Sequence, residues 1–506
     1  MNSKIILAVI MIIIVIPLAL IMGQLAATDP TTVAIIFVVV FGALVLYGLG
    51  EHMWVLIPAS MLMKGNLNFL PGAPFPWQIV TLVVAGLTCL GVLTQTRKVN
   101  LKWTWIETAI LLQVLAIAQS YLRNPTGLSI LGDSVIGGKF YIDYAVAFLA
   151  FCILATVKTN PIIVKRAIIA MVIIGVADTL LKLVTSLVPD LGFMVMRVYG
   201  NADIKTIMRS MAGGIDLTES RFQAIAPLGA IGMLICCSFW RPILSISPAK
   251  PSRVLLLAIS TVAILLGGFR GMIVSAAVSF SLGSWIRRKP VDAIIVIIIG
   301  LMLVSVVVVG VDLRKMPFGI QRTLSFLPVD VSPHARESAE HSTEFRLEMW
   351  EAALTSDKYI RNKMLGDGFG YSALEQEFIL TQMQEGGSMG DIESTLAKGS
   401  YHGFHVETIR FTGVFGLICA TFALFVFSVK AWRLVQLYRD TDAWGSIIFL
   451  CIPVIMAPYW YWLVFGSYKS WFPLLLVTAG LIRLAENAAR SSTLNPLETN
   501  IEDKPA

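Results

Sequence analysis

Apolar runs close to the membrane-spanning length recur from one end of this chain to the other. "IILAVIMIIIVIPLALIM" (5–22) and "DAIIVIIIGLMLVSVVVVGV" (292–311) are the longest and cleanest. About twenty such residues in a helix cross a bilayer core. A helix satisfies its own backbone hydrogen bonds there, which an open strand does not. The composition agrees: hydrophobic residues make up 56% of the chain, charged residues 14%, and the mean hydropathy is +0.77. Soluble domains lie nearer a quarter charged, so a string of soluble domains is excluded. The predicted class is an all-α polytopic membrane protein.

Candidate spans fall at 5–25, 32–50, 53–63, 78–94, 104–122, 142–157, 163–188, 224–240, 254–268, 271–287, 291–311, 406–430, 444–465 and 469–485. That is fourteen, with 53–63 short for a crossing and twelve or thirteen the smaller alternatives. The first run exceeds the apolar length of a signal peptide and is read as an anchor. The chain then divides into an N-terminal bundle (1–223), a group of spans around a Gly-Arg-Gly turn (224–311), one large loop (312–405), the last spans (406–485) and a tail (486–506).

Basic residues set the orientation. With the N-terminus inside, "TQTRKVNLK", "VKTNPIIVKR", "WRPILSISPAKPSR", "WIRRKP" and "KAWRLVQLYRD" share the inner side. The net charge of +7 is therefore a topology signal, and no nucleic-acid partner is expected. The six cysteines lie in apolar spans and point to neither disulfides nor zinc. No repeat is visible.

Three outer loops stand out: 123–141, 189–223 and 312–405. In the last, "STEFRLEMWEAAL" (342–354) predicts a helix. Ser342 or Thr343 serves as its N-cap, and Leu347, Trp350 and Leu354 form one apolar face. "GDGFGYS" (366–372) is a glycine-rich turn without the Lys-Ser/Thr ending of a phosphate-binding Walker loop. A second helix is expected near 371–384, ended by "QEGGSMGD".

Polar residues at the membrane boundary carry the chemical information. "LLGGFRGMIVS" places Arg270 in a glycine-flanked turn at the outer face. "DLTESRFQAIAPLG" places Arg221 there, and "HSTEFRLEMW" places Arg346 on the loop helix. Arginines bind phosphate oxygens bidentately and stay charged, which suits a lipid-linked diphosphate. Taken singly, Arg270 reads equally as an interfacial arginine and Arg346 as a solvated helix charge. Two of the five histidines, His402 and His405, lie three residues apart where the loop enters a span. The Asp440/Asp442 pair falls on the inner side, so no metal and no cofactor is expected.

The C-terminal half resembles the O-antigen ligase and O-antigen polymerase superfamily of bacterial envelope glycosyltransferases. Four stretches over about 216–430 carry the resemblance. "GFRGMIVS" is similar to the family's Ser/Gly-Arg-Gly turn. "QRTLSFLP…STEFRLEMWEAAL" is similar to its Arg-x-x-x-Trp loop helix. "LGDGFGY" is similar to its Gly-x-Gly-x-Gly turn, and "YHGFHVETIRFTGVFGL" to its His-(x)10-Gly-x-x-Gly boundary. His402 stands eleven residues before Gly413, with Gly416 following, so this register selects His402 over His405. Family members often carry Asn directly after the histidine; here the residue is Gly403.

The resemblance implies a GT-C-like fold with about 12–14 spans in a bacterial inner membrane, and an active face in the periplasm. It implies transfer of a glycan from an undecaprenyl diphosphate carrier to a sugar hydroxyl on an acceptor glycan or glycolipid, with ligase and polymerase both open. His402 would act on the acceptor hydroxyl. Arg270, Arg346 and Arg221 would hold the diphosphate, with His405 and Arg322 secondary. The alternative is a transporter or flippase of lipid-linked polyanions. Transporters more often show repeats and polar residues in mid-membrane.

The alternation of basic loops predicts that 312–405 lies outside. A cysteine replacing Ser388 should react with an impermeant thiol reagent in intact spheroplasts. Labelling confined to lysed cells would reverse the orientation.

Overall fold

Prolines and side-chain caps mark where the helices begin. The computed structural model describes residues 42, 45–95, 102–125, 137–201, 208, 222–310, 312–370, 391–397, 401–439 and 441–494. The short α1 (Leu56–Met61) precedes α2 (Pro76–Leu93). In α3 (Trp105–Arg123) the Thr104 hydroxyl accepts from the Ile106 N–H at 3.2 Å, and the Glu107 carboxylate accepts from the Thr104 N–H at 2.6 Å. This reciprocal pair satisfies donors that a helix start leaves open. α4 (Lys139–Thr156) follows, then α5 (Pro161–Leu187), capped by Asn160 through Ile163 N–H, and α6 (Pro189–Val198). A two-residue antiparallel pair of β1 (Asn66–Leu67) with β2 (Tyr199–Gly200) ties α1 to the end of α6.

The second half holds α7 (Ala226–Phe239), α8 (Pro251–Leu266), α9 (Arg270–Ile286) and α10 (Pro290–Gly310). The loop region contributes α11 (Phe318–Leu324), α12 (Pro333–Thr355) and α13 (Asp391–Ala397). α14 (Phe404–Leu437), α15 (Trp444–Ile455) and α16 (Phe472–Leu494) close the chain, with a π-helical stretch, Trp460–Phe465, after α15. α16 packs along α4, α14 along α3, and α7 along α8. α16 is central, with 78% of its apolar window buried, whereas α2 is peripheral at 33%. α10 turns Ile294, Ile297, Ile298, Leu301 and Met302 outward, a helical stripe suited to lipid.

Among the described residues, seven helices are long and apolar enough to cross a membrane, and three more apolar helices are shorter. The chain is thus a predominantly helical, multi-pass protein. The candidate span 53–63 is instead a 3₁₀ turn, Gly50–Val55, running into the six-residue α1. Spans 5–25 and most of 32–50 lie outside the described residues, as do the helix expected at 371–384 and most of the tail.

The loop helix departs from its expected bounds. α12 starts nine residues earlier than predicted, because Ser332 caps it by accepting from the Ala335 N–H and Pro333 occupies its first position. The polar run 333–341 has no apolar period to reveal it. Its buried face is Met349 and Ala353, while Leu347 is 57% exposed, so the expected stripe is rotated.

α14 is interrupted where it matters most. Gly413 has φ 75° and ψ −177°, and the helix kinks there. Four of the freed backbone groups pair with the turn 363–368. Asp367 N–H donates to the Arg410 carbonyl (2.8 Å) and Gly368 N–H to that of Phe411 (3.0 Å). In return Val414 N–H and Phe415 N–H donate to the carbonyls of Lys363 (2.8 Å) and Met364 (3.1 Å). A Cβ on Gly413 would lie 2.2 Å from the Met364 oxygen, and one on Gly366, itself at φ 74°, 2.5 Å from the Gly413 nitrogen. Gly413→Ala combines left-handed strain with overpacking and should cost about 3 kcal/mol. Gly300→Ala, with open space around it, should change stability by less than about 1 kcal/mol. Thermal unfolding of the two purified variants against the parent chain checks both values.

Candidate functional site

The turn inserted at Gly413 is itself held by charge. Asp367 accepts from the Arg361 and Asn362 N–H groups (2.9 and 3.0 Å) and lies 3.6 Å from the guanidinium of Arg410. Arg410 is fully buried and donates to Tyr401 Oη (3.1 Å), to the Gly368 carbonyl (3.2 Å) and to that of Gly370 (3.3 Å). From α3, Arg123 donates to the carbonyls of Leu365 and Gly366, and Asn124 to that of Asp367, each at 2.6 Å. Tyr401 is thereby fixed, and the next residue is His402.

His402 stands at the mouth of α14 with φ 47°, in the left-handed region that a β-carbon disfavours. Gly403 then caps the helix. A Cβ at 403 would lie 2.7 Å from the Trp350 indole, which donates from Nε1 to the Tyr401 carbonyl at 2.9 Å. Trp350 therefore requires glycine at the position where the resembling family often has Asn. Desolvation, together with the cations of Arg346 and Lys469, holds the His402 imidazole below its ordinary pKa of 6.5. The lowering favours the neutral imidazole at pH 7.

Lys469 is placed by a carboxylate. Glu407, one turn into α14, accepts from the backbone N–H of Tyr468 (2.6 Å) and of Lys469 and from Ser467 Oγ (3.3 Å). This pins the turn between α15 and α16 against the start of α14. His405 sits between two indoles, edge-to-face with Trp350 (centroids 4.6 Å) and parallel to Trp462 (6.1 Å).

The arginines take different places. Arg346 and Trp350 share one face of α12, four residues apart, and Arg346 donates to Ser342 Oγ at 3.3 Å. Arg270, at the first position of α9, donates to the Ala339 carbonyl (2.7 Å) and Thr343 Oγ (3.2 Å), and so reaches the same helix. Arg322 is buried and clamps the Gly268 carbonyl (2.8 Å) to Ser338. It acts by positioning the Gly-Arg-Gly turn and α12. Arg221 and Arg209 lie outside the described residues, and Arg197 is an exposed residue near the end of α6.

The structure thus brings His402, His405, Arg346 and, through α12, Arg270 to one end of the bundle. Lys469, Glu407, Arg410 and Asp367 join them and were missed in the sequence. The signal for two of them was present, since "HVETIRFTG" carries Glu407 and Arg410 within an otherwise apolar span. Among the described residues, no group of three His, Cys, Asp or Glu side chains is arranged to hold a metal ion. Comparison with models of known protein families and with curated proteins finds no match for this chain.

If Lys469 helps keep His402 neutral, Lys469→Gln should raise the imidazole pKa toward 6.5. Titration of the His402 resonance in protein carrying isotope-labelled histidine measures this. An unchanged or lower value would remove Lys469 from the cluster.

Proposed function

We propose that this chain transfers a glycan from a polyprenyl diphosphate carrier, of the undecaprenyl kind, to a sugar hydroxyl of an acceptor glycan or glycolipid. The reaction would run at the outer, periplasmic face of a bacterial inner membrane. The carrying observation is the placement of the His402 imidazole, at the start of α14, beside the cations of Arg346 and Lys469, which lower its pKa after desolvation does. A neutral imidazole accepts a proton; fixed cations favour an anionic leaving group. The four stretches that resemble O-antigen ligases and polymerases also touch one another in a continuous chain, which supports the reading. Gly268 meets Arg322, Arg270 meets α12, Trp350 meets Tyr401, and Gly366 meets Gly413.

In this reading the acceptor oxygen attacks the anomeric carbon of the donor sugar and its proton passes to His402. The bond from that carbon to the diphosphate oxygen breaks, and the carrier leaves as its diphosphate. Arg346 and Lys469 face the developing charge. Arg270 supports them by holding α12. His405 lines the aromatic wall with Trp350 and Trp462.

His402→Ala should insert in the membrane normally and lose on the order of 10²–10⁴-fold in transfer, whereas His405→Ala should retain at least about a tenth. Arg346→Lys should lose about a hundredfold, equivalent to about 3 kcal/mol, because lysine lacks the planar fork. Transfer from a purified lipid-linked glycan, normalised to membrane protein, decides between these outcomes. An active His402→Ala protein would sink the mechanism. The pH profile gives a second check. Since His402 must be neutral, activity should fall with acid through a pKa below 6.5, and Lys469→Gln should move that limb upward.

A further inference from the structure

The turn that pairs with α14 at Gly413 also lies at the edge of the membrane. Between Arg410 and Lys430, α14 carries no charged residue. That stretch, 411–429, rises about 28 Å at 1.5 Å per residue, close to the thickness of a bilayer core. Gly413 therefore stands at one boundary of the core. α3 gives the same level. It spans Trp105 to Arg123 in 19 residues, and Arg123, at its end, donates to the Leu365 carbonyl of the turn at 2.6 Å.

The turn lies on the outward side of α3. Leu111, Leu115 and Leu122 are exposed along that helix and mark the stripe it turns to lipid. Gln119 and Arg123 follow Leu115 by four and eight positions and so share that stripe. Both donate to the Leu365 carbonyl, Gln119 at 2.9 Å. The tip of the turn is apolar and uncovered, with Met364 65% exposed and Leu365 39%. Arg361 and Arg123, both exposed, flank it. A single exposed apolar residue on a water-facing surface is ordinary. Two in succession, level with the end of a spanning stripe and edged by arginines, match an interfacial anchor. In such an anchor apolar side chains enter the acyl region, and cations stay with the headgroups.

We propose that Met364 and Leu365 form a membrane-inserted tip, in contact with the acyl chains of the leaflet at the His402 end. The inference does not depend on the transfer reaction. The region 312–405 would then touch the bilayer at the turn that pairs with α14. Because the Met364 carbonyl accepts from the Phe415 N–H (3.1 Å), lipid around the tip helps keep that turn in place. Leu347 of α12 provides the contrast. It is also apolar and exposed, but Trp350, one turn further on, bonds the Tyr401 carbonyl just before α14 begins. From Phe404, where α14 begins, to Gly413 the helix rises about 14 Å, so Leu347 stands on the water side of the boundary.

The test uses the full chain in phospholipid vesicles, with its two exposed cysteines, Cys89 and Cys152, replaced by alanine. A nitroxide is attached through Met364→Cys, Leu365→Cys, Leu347→Cys or Ile418→Cys. Ile418 is exposed within the uncharged stretch of α14 and calibrates contact with lipid. Collisions are measured with oxygen, which concentrates in lipid, and with a nickel chelate, which stays in water. The ratio of oxygen to nickel collisions at 364 and 365 should match that at 418 and exceed that at 347 severalfold. A ratio at 364 or 365 equal to that at 347 would overturn the proposal. So would shielding of both tip positions from both probes, which would assign the tip to a protein contact. If one tip variant folds poorly, the other decides alone.

Discussion

The rest of the molecule depends on how the broken helix at Gly413 is repaired. Inside an apolar bundle an unpaired backbone group costs several kcal/mol, because no water is present to replace the lost bond. α14 opens at Gly413, and the turn 363–368 pairs with both lips of the gap. The helix and the loop are therefore one structure. Withdrawing the loop would leave two carbonyls and two N–H groups of α14 without partners. Gly366 and Gly413 permit the approach, and Arg123, Asn124 and Arg410 satisfy the turn's remaining carbonyls.

This repair has a consequence at the membrane boundary. With its Gly-rich turn anchored in α14, the loop must return to the start of the same helix, and Tyr401 is caught there by Arg410 and Trp350. His402 is forced into a left-handed backbone conformation beside Gly403, the kind of strain a fold tolerates where the surroundings over-determine it. α12 is gripped near Ser338 and Ala339 by Arg322 and Arg270, and further along at Trp350 by the Tyr401 carbonyl. Arg346 lies between these grips. A cation on a doubly clamped helix has less freedom to lose on binding an anion than one on a mobile loop.

The polar chemistry is sorted to the two ends of an apolar bundle. One end carries an imidazole among cations; the other carries the ion pairs of Arg483 with Glu107 and Glu486. Both are organised by buried carboxylates that sit in apolar helices, Glu407 at one end and Glu107 at the other, each spent on holding a neighbouring element. Carboxylates in such surroundings persist when their hydrogen-bonding capacity is met, as it is in both cases.

Much of this was legible in the amino-acid order. Apolar runs of spanning length determine a helical membrane protein, since lipid leaves the backbone few other choices. Position in the chain also set Arg270, Arg346 and His402 around one loop, and the sequence singled out Gly413, the glycine at which α14 kinks. Other features required the tertiary structure. The start of α12 was hidden because a cap and a proline, rather than any apolar period, set it. The role of Arg322 as a clamp, and the need for glycine at 403, follow from contacts with Gly268 and Trp350, residues more than fifty positions away. Lys469 joins His402 because Glu407 binds the turn that carries it, across sixty positions of chain. Hydropathy is a property of consecutive residues and can be read along the chain. Which carbonyl a guanidinium finds, and which cation lowers an imidazole's pKa, are properties of distances that exist only after the helices have packed.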